Sequence, residues 1–222
     1  MRIAFIPVRG GSKSIPGKNI RLFCGKPLIW WNLVQLQNCP LIDEVIVATD
    51  DLEIKNVSLS FCFSKVKIYW RDEENARDVS STESVMLEYL SKSKHHDEDL
   101  FILVQATSPF TKSEDFEKAY YQLVHENSDS LLTTTRFKRF IWSENGMPLN
   151  YDFKKRPRRQ DFSGMLVENG SFYMTKVKSL IENKNRLSGK ISTYIMEDPR
   201  TSIEIDDDQD WIMAESLMEK RK

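Results

Sequence analysis

Ile3-Ala4-Phe5-Ile6-Pro7-Val8 runs directly into Arg9-Gly10-Gly11-Ser12-Lys13-Ser14-Ile15-Pro16-Gly17-Lys18-Asn19. An apolar run that opens into a glycine-rich, cationic loop predicts a short buried strand delivering a polyphosphate site. Glycines let backbone N–H groups approach phosphate oxygens, and Arg9, Lys13 and Lys18 supply compensating charge. Four of the eight glycines, Gly10, Gly11, Gly17 and Gly25, fall within the first 25 residues, which favours one specialised loop over scattered turns. The loop is not a Walker A sequence: five residues separate Gly11 from Gly17, and Asn19 stands where a magnesium-binding Ser or Thr is needed. It is not a G-x-G-x-x-G fingerprint either. A plain basic turn is the competing reading of this segment alone.

Beyond the loop, strand-length apolar runs alternate with helix-period segments, the pattern of an α/β layered fold. Lys26-Pro27 is expected to open a helix through Leu28, Trp30, Trp31, Val34 and Leu36, ending near Pro40. Strands are expected at 44–49, ending in Asp50-Asp51, at 66–70, and at 100–104. The last is wholly apolar and suits a sheet buried on both faces. Helices are expected at 80–90, with Ser81 or Thr82 as cap, and at 113–125, followed by a strand at 130–135. Further strands are expected at 171–174 and 191–196, each followed by a helix. Residues 137–164 are aromatic, basic and aperiodic, and read as an arm or small subdomain within one domain spanning 1–222.

The bulk numbers exclude several classes. A net charge of −1 gives no global basic field for nucleic acid or membrane. No stretch approaches the ~18 apolar residues of a spanning helix, and the N-terminus lacks a signal-peptide layout. Three cysteines, three histidines and no C-x-x-C argue against a zinc site and for a reducing, cytosol-like compartment.

Polar clusters fall where open α/β sheets place their ligand crevice, at expected strand ends. They are the 9–19 loop, Asp50-Asp51, Arg71, 105–109, Glu168-Asn169-Gly170 and Glu204-Ile205-Asp206. Glu204 and Asp206 alternate on an expected strand, so both carboxylates point to one face and could hold Mg2+ together with substrate phosphates. The competing reading is that Asp206, Asp207 and Asp208 cap the final helix. Arg156, Arg158 and Arg159 fit a solvated surface, a nucleic-acid or nuclear-localisation patch, or an anion site using paired N–H donors.

Taken in order, several stretches resemble the CMP-sialic acid synthetases (N-acylneuraminate cytidylyltransferases). They are Pro7–Asn19, Ala48-Thr49-Asp50-Asp51, Ala76–Thr82, Gln105-Ala106-Thr107-Ser108-Pro109, Arg156–Asp161 and Glu168–Tyr173. The last two are similar to the animal-type branch, and the likeness covers nearly the whole chain. It implies a single Rossmann-like nucleotidyltransferase domain with a mostly parallel sheet and a protruding dimerisation arm. It also implies transfer of CMP from CTP to a nine-carbon 2-keto acid sugar, with Mg2+ as cofactor and Mn2+ able to substitute. Arg9 and Lys13 would be catalytic, and Arg9, Gly10, Gly11, Ser12, Lys13, Lys18, Asn19, Arg71, Ser80, Ser81 and Thr82 would bind nucleotide. Gln105, Arg159, Asn169 and Tyr173 would bind the sugar, and Glu204 and Asp206 the metal. A homodimer or dimer of dimers is implied, cytoplasmic or, in an animal, nuclear. Two departures stand out: Glu204 replaces the aspartate of an S-x-D-x-D pattern, and Thr82 replaces a serine. Rival expectations are another 2-keto acid sugar, such as legionaminic acid or Kdo, and a non-catalytic nucleotide-sugar binder.

Overall fold

The structure, a computed structural model, describes residues 1–12, 14–76 and 80–219. Its centre is a seven-stranded sheet ordered β5-β4-β1-β6-β8-β7-β9. The strands are β1 (Arg2–Pro7), β4 (Glu44–Thr49), β5 (Val66–Trp70), β6 (Leu100–Val104), β7 (Ser130–Phe137), β8 (Met165–Lys176) and β9 (Ile191–Ile195). Only β8 runs against its neighbours; the remaining pairings are parallel. A two-stranded ribbon, β2 (Leu22–Phe23) and β3 (Lys26–Pro27), lies in the loop after β1.

The all-apolar runs are explained by burial on both faces. Along β1, Ala4 and Ile6 enter one core and Ile3 and Phe5 the other; along β6, Ile102 and Val104 alternate with Phe101 and Leu103 in the same way. The first core is covered by α1 (Leu28–Asn38) and α5 (Ser113–His125). The second is covered by α4 (Thr82–Lys92) and α6 (Val177–Asn183). A third core joins Ile15 of the loop, Phe23 and Phe110 to Ile205 and to Trp211 of α7 (Asp208–Glu219). That core pins the loop's far side to the C-terminal helix, so Ile15, among polar neighbours in sequence, is an anchor.

Several expectations change. Lys26-Pro27 does not open a helix: it pairs with Leu22-Phe23, and α1 starts at Leu28 with Pro27 at its N-cap. α2 (Leu52–Ser60) gives no clear apolar stripe in sequence, since it buries only Ile54 and Ser58. Asp51 caps it, accepting from Glu53 N at 2.8 Å and Ile54 N at 3.0 Å. Ser81 caps α4, and a short helix, α3 (Glu73–Ala76), precedes it. Glu168-Asn169-Gly170 lies inside β8, at an irregularity where the pairing with β7 shifts between Leu132 and Thr134. Glu204 and Asp206 are not on a strand. They flank Ile205 in an extended segment that hydrogen-bonds once to the sheet side, Ile205 N to Thr107 O at 3.0 Å. The alternation survives: Ile205 is buried and its neighbours turn the other way.

Residues 138–164 are mostly irregular, with a Trp142–Pro148 bridge and a turn of 3-10 helix at Phe153–Lys155. Phe140, Trp142, Tyr151, Phe153 and Phe162 form a chain of ring contacts there. Cys39 is buried and Cys62 exposed, both with free thiols. No helix among the described residues is long and apolar enough to cross a membrane.

Candidate active site

β1 has β4 on one side and β6 on the other, and the chain crosses between those directions at β1. Open α/β sheets leave a crevice at such a point, beyond the C-terminal strand ends. A cavity of about 490 Å3 occupies that position. Arg9, Ser12, Ser14, Lys18 and Asn19 of the loop line it, together with Arg71 after β5, Ser80, Ser81 and Thr82 at the head of α4, Gln105 and Thr107 after β6, and Glu204 and Asp206.

The loop is braced from both ends. Gly10 N donates to Asp50 Oδ1 at 3.2 Å, and a Cβ on Gly10 would lie 2.3 Å from Asp51 Oδ2. Gly10 is therefore required by the capped head of α2, whereas a Cβ on Gly11 would meet nothing within 4 Å. Asn19 Nδ2 donates to Arg9 O at 3.3 Å, holding the loop closed on itself. Lys18 Nζ donates to Ile205 O at 2.8 Å and pairs with Asp206 at 3.3 Å. Two of its three N–H donors thus tie the loop to the acidic segment.

On the opposite wall, Arg71 is buried, and burial, followed in smaller measure by Arg9, lowers its pKa against the opposing pull of Asp50 and Glu88. Its guanidinium donates to Asn75 O, while its Nε has no partner among the described residues. A buried cation with an unused donor at a cavity wall is suited to an anionic or carbonyl-bearing ligand.

Glu204 is a half-buried carboxylate whose surroundings disfavour its charge. Burial raises its pKa most, the Asp206 charge adds to this, and the Thr107 hydroxyl and Lys18 only partly offset it. Thr107 Oγ1 donates to Glu204 Oε1 at 3.2 Å. Gly170, at φ +65°, makes room for that carboxylate: a Cβ there would come within 3.1 Å of Glu204 Oε2. Two neighbouring carboxylates short of positive charge fit a divalent cation shared with ligand phosphates. They do not make a protein-only cage, since the described residues contain no group of three or more His, Cys, Asp or Glu able to hold a metal.

Of Asp206, Asp207 and Asp208, which the competing reading made caps of the final helix, Asp207 is the cap. Asp207 Oδ1 accepts from Gln209 N and Asp210 N, and Asp210 Oδ2 accepts from Asp206 N and Asp207 N. The Asp206 carboxylate is left to Lys18 and the cavity.

The other expected site residues divide. Gln105 lines the cavity. Tyr173 is paired in register with the cavity residue Leu103 and donates its hydroxyl to Glu168; burial and then Glu168 raise its pKa, with a smaller push from Glu204. Asn169 is buried, with Nδ2 bonded to Thr201 O at 2.9 Å, and does not reach the cavity wall. Arg159 lines a second pocket within the arm, with Lys138, Arg139, Phe140, Arg156, Pro157 and Phe162. Lys13 lies outside the described residues. Ser14 and Thr107 fall within the 9–19 loop and the 105–109 cluster read from sequence but had no role of their own there; which hydroxyl of a cluster faces the cavity is decided by the backbone.

A cytidylyltransferase family model matches residues 3–219, and the chain belongs to that family. It is 37% identical over 219 residues to N-acylneuraminate cytidylyltransferase A of Danio rerio, an alignment covering 96% of this chain and 49% of that protein. The chain thus spans about half the length of the curated N-acylneuraminate cytidylyltransferases it matches. It is 32% identical to the CMP-N,N'-diacetyllegionaminic acid synthase of Legionella pneumophila, over 99% of this chain and 97% of that one. Among solved structures, a CMP:2-keto-3-deoxy-manno-octonic acid synthetase complexed with CTP superposes with a TM-score of 0.71. The superposition covers 100% of this chain and 99% of the other at 17% identity, a likeness of fold. The fold is a Rossmann-like nucleotidyltransferase fold with a mostly parallel sheet.

Proposed function

We propose that the protein activates a sialic acid, of the Neu5Ac or KDN type, with CTP to give the CMP-sugar and pyrophosphate. The observation that carries this reading is the cavity at the β1 crossing point, where Arg9, Lys18 and Arg71 face Glu204 and Asp206. A site holding cations on one side and a cation-seeking carboxylate pair on the other suits a nucleoside triphosphate.

In this reading the anomeric hydroxyl oxygen bonds to the α-phosphorus, the bond from that phosphorus to the pyrophosphate oxygen breaks, and the hydroxyl proton is given up. Catalysis of such a step is mostly positioning and charge stabilisation. Arg9, with Lys13 assigned from sequence, neutralises the phosphates. Ser12 of the loop lines the cavity beside Arg9 and takes a phosphate oxygen, with Gly10 and Gly11 giving the loop its close approach. Lys18 fixes the acidic segment and Asn19 the loop. Arg71 and Ser80-Ser81-Thr82 take the cytidine end, and Gln105 with Tyr173 the sugar. Glu204 and Asp206 would hold Mg2+, or Mn2+ in its place, and that ion would supply charge neutralisation for the phosphates.

Arg159 and Asn169 need a further step. Asn169 supports the site from behind, through Thr201 and the bulge of β8. Arg159 stands in the arm, and we assign that arm, residues 137–164 of one catalytic unit, to a dimer contact. Phe137, Trp142, Met147, Leu149 and Phe153 are exposed there. In a dimer, Arg159 would grip the carboxylate of a sugar in the partner's cavity. The free thiols of Cys39 and Cys62 suit a reducing, cytoplasmic setting. The bacterial relative matched over nearly its full length favours a second reading, with a legionaminic-type sugar as acceptor.

Pyrophosphate release from CTP with a panel of Neu5Ac, KDN, legionaminic acid and Kdo tests the proposal. Release dependent on Neu5Ac or KDN is expected. Release with legionaminic acid alone would select the second reading, and none with any acid would leave a nucleotide-sugar binder.

A further inference from the structure

The structure assigns to Glu88, a residue outside the cavity, the positioning of Arg71 for the nucleotide. Glu88 sits on the inner face of α4 and is 9% exposed. Its Oε1 accepts from the Tyr69 hydroxyl at 2.5 Å and from Asp72 N at 3.0 Å, and its Oε2 accepts from Asn75 Nδ2 at 2.6 Å. One carboxylate therefore holds the end of β5 and the turn that follows it. Arg71 lies between those attachments: its backbone N donates to Thr49 O at 3.1 Å, and its guanidinium donates to Asn75 O. The chain of contact runs from Glu88 through Asn75 to Arg71 and the cavity.

Charge points the same way. Burial alone would raise the pKa of Glu88, but the bonds from Tyr69, Asp72 N and Asn75 outweigh it, so the group stays an anion. That anion is one of two, with Asp50, that oppose the loss of charge on buried Arg71. Lys92, at 3.6 Å from Glu88 and 2.5 Å from Asp72, closes the network on its outer side. Helix packing alone would not need a buried carboxylate bonded once to the end of a strand and twice to the short turn after it. A cation that must present a fixed donor to a ligand does need it, because a partly buried side chain with one anchor can swing.

This inference rests on reading the cavity as a CTP site with Arg71 at its nucleotide end. The experiment measures kcat and both KM values for Glu88→Gln, Arg71→Ala, the double variant and Tyr69→Phe. Glutamine keeps the size of Glu88 but loses its charge and turns an N–H2 toward a donor. Glu88→Gln is expected to raise the CTP KM by ~10-fold, the scale of one loosened charge-assisted contact. The sugar KM should stay within about two-fold, and the double variant should be no worse than Arg71→Ala alone. Tyr69→Phe, which leaves the 72–75 turn attached, should change the CTP KM by less than about two-fold. If Glu88→Gln does not fold, Asn75→Ala cuts the same link from an outer residue and is expected to give the same selective rise. A normal CTP KM in Glu88→Gln or Asn75→Ala beside a raised one in Arg71→Ala would overturn the assignment, as would fully additive losses. Wild-type protein that neither binds nor turns over CTP would overturn the underlying function instead, a result visible before any variant is made.

Discussion

The molecule carries two cationic pockets of nearly equal size, about 490 Å3 at the strand ends and about 450 Å3 in the arm, and they are built differently. In the first, cations and carboxylates face one another, and each is tied to a packed neighbour: Arg71 to Thr49 beside β5, Lys18 to Ile205 of the third core, Glu204 to Thr107 and the space left by Gly170. In the second, Lys138, Arg139, Arg156 and Arg159 line irregular backbone, with no acidic residue in the wall among the described residues. Its order comes from aromatic contacts, such as the Arg156 guanidinium 4.5 Å from the Phe140 ring centroid. A preorganised site can do chemistry within one chain. A basic pocket on an irregular arm has charge to offer but needs a second surface to define what it offers it to.

The sharpest test of that contrast separates two adjacent aspartates. Asp206→Asn should leave thermal stability unchanged, because Asp207 provides the helix cap, yet cost ~100-fold in activity at limiting Mg2+. Even groups that merely orient metal ligands are worth ~10–100-fold. Asp207→Ala should do the reverse, costing ~1 kcal/mol of stability as a lost N-cap while kcat stays near normal. Thermal melts and Mg2+ titrations of both variants check this, and a fully active Asp206→Asn at low Mg2+ would remove the acidic segment from the chemistry.

The arm is tested next, with a smaller effect expected. If Arg159 completes a partner's site, Arg159→Ala should raise the sugar KM by roughly 10-fold, as for a charge-assisted hydrogen bond of ~1.5–3 kcal/mol partly lost to solvent, and spare the CTP KM. Arg159→Lys should restore only part, lacking the planar two-donor fork. Equal effects on both substrates, with an unchanged sedimentation profile, would make the arm pocket a general electrostatic feature.

The same contrast governs how much was legible in the chain. β4 and β6 begin and end where the apolar pattern puts them because they are buried on both faces, and α5 because its buried Phe116, Ala119 and Leu123 keep a helical period; the edge strand β5 also matches. The cavity's loop, Arg71, Gln105, Glu204 and Asp206 were also legible, since each follows or mimics a strand end. α2 was not, because its exposed Leu52 and Leu59 break any stripe. β8 read as a short strand because Glu168-Asn169-Gly170 looks like a turn, although the backbone makes it a bulge that clears space for Glu204. Glu88 was invisible for a different reason. A single acid on an amphipathic helix reads as surface, and only the approach of Tyr69, Asp72 and Asn75 turns it inward.

The smallest expected effect sharpens what bracing means within the loop itself. Gly10 and Gly11 are adjacent and, in sequence, equivalent. A Cβ on Gly10 would overlap Asp51, whose Oδ2 would lie 2.3 Å away and whose Cβ would lie 2.9 Å away. The aspartate cannot retreat without releasing Glu53 N and Ile54 N at the head of α2. Gly10→Ala should therefore cost about 0.5–2 kcal/mol, the range of a lost N-cap, and lower the melting temperature. It should also weaken CTP binding, because the displaced loop carries Arg9 and Ser12. Gly11→Ala meets no atom within 4 Å and should melt within about 0.5 kcal/mol of wild type, as surface changes usually do. Any loss of CTP affinity in Gly11→Ala without a change in melting would mean that the ligand itself approaches that backbone, dividing the two glycines between a structural and a binding role. Equal destabilisation of both variants would show that the loop is held as a whole rather than through Asp50 and Asp51.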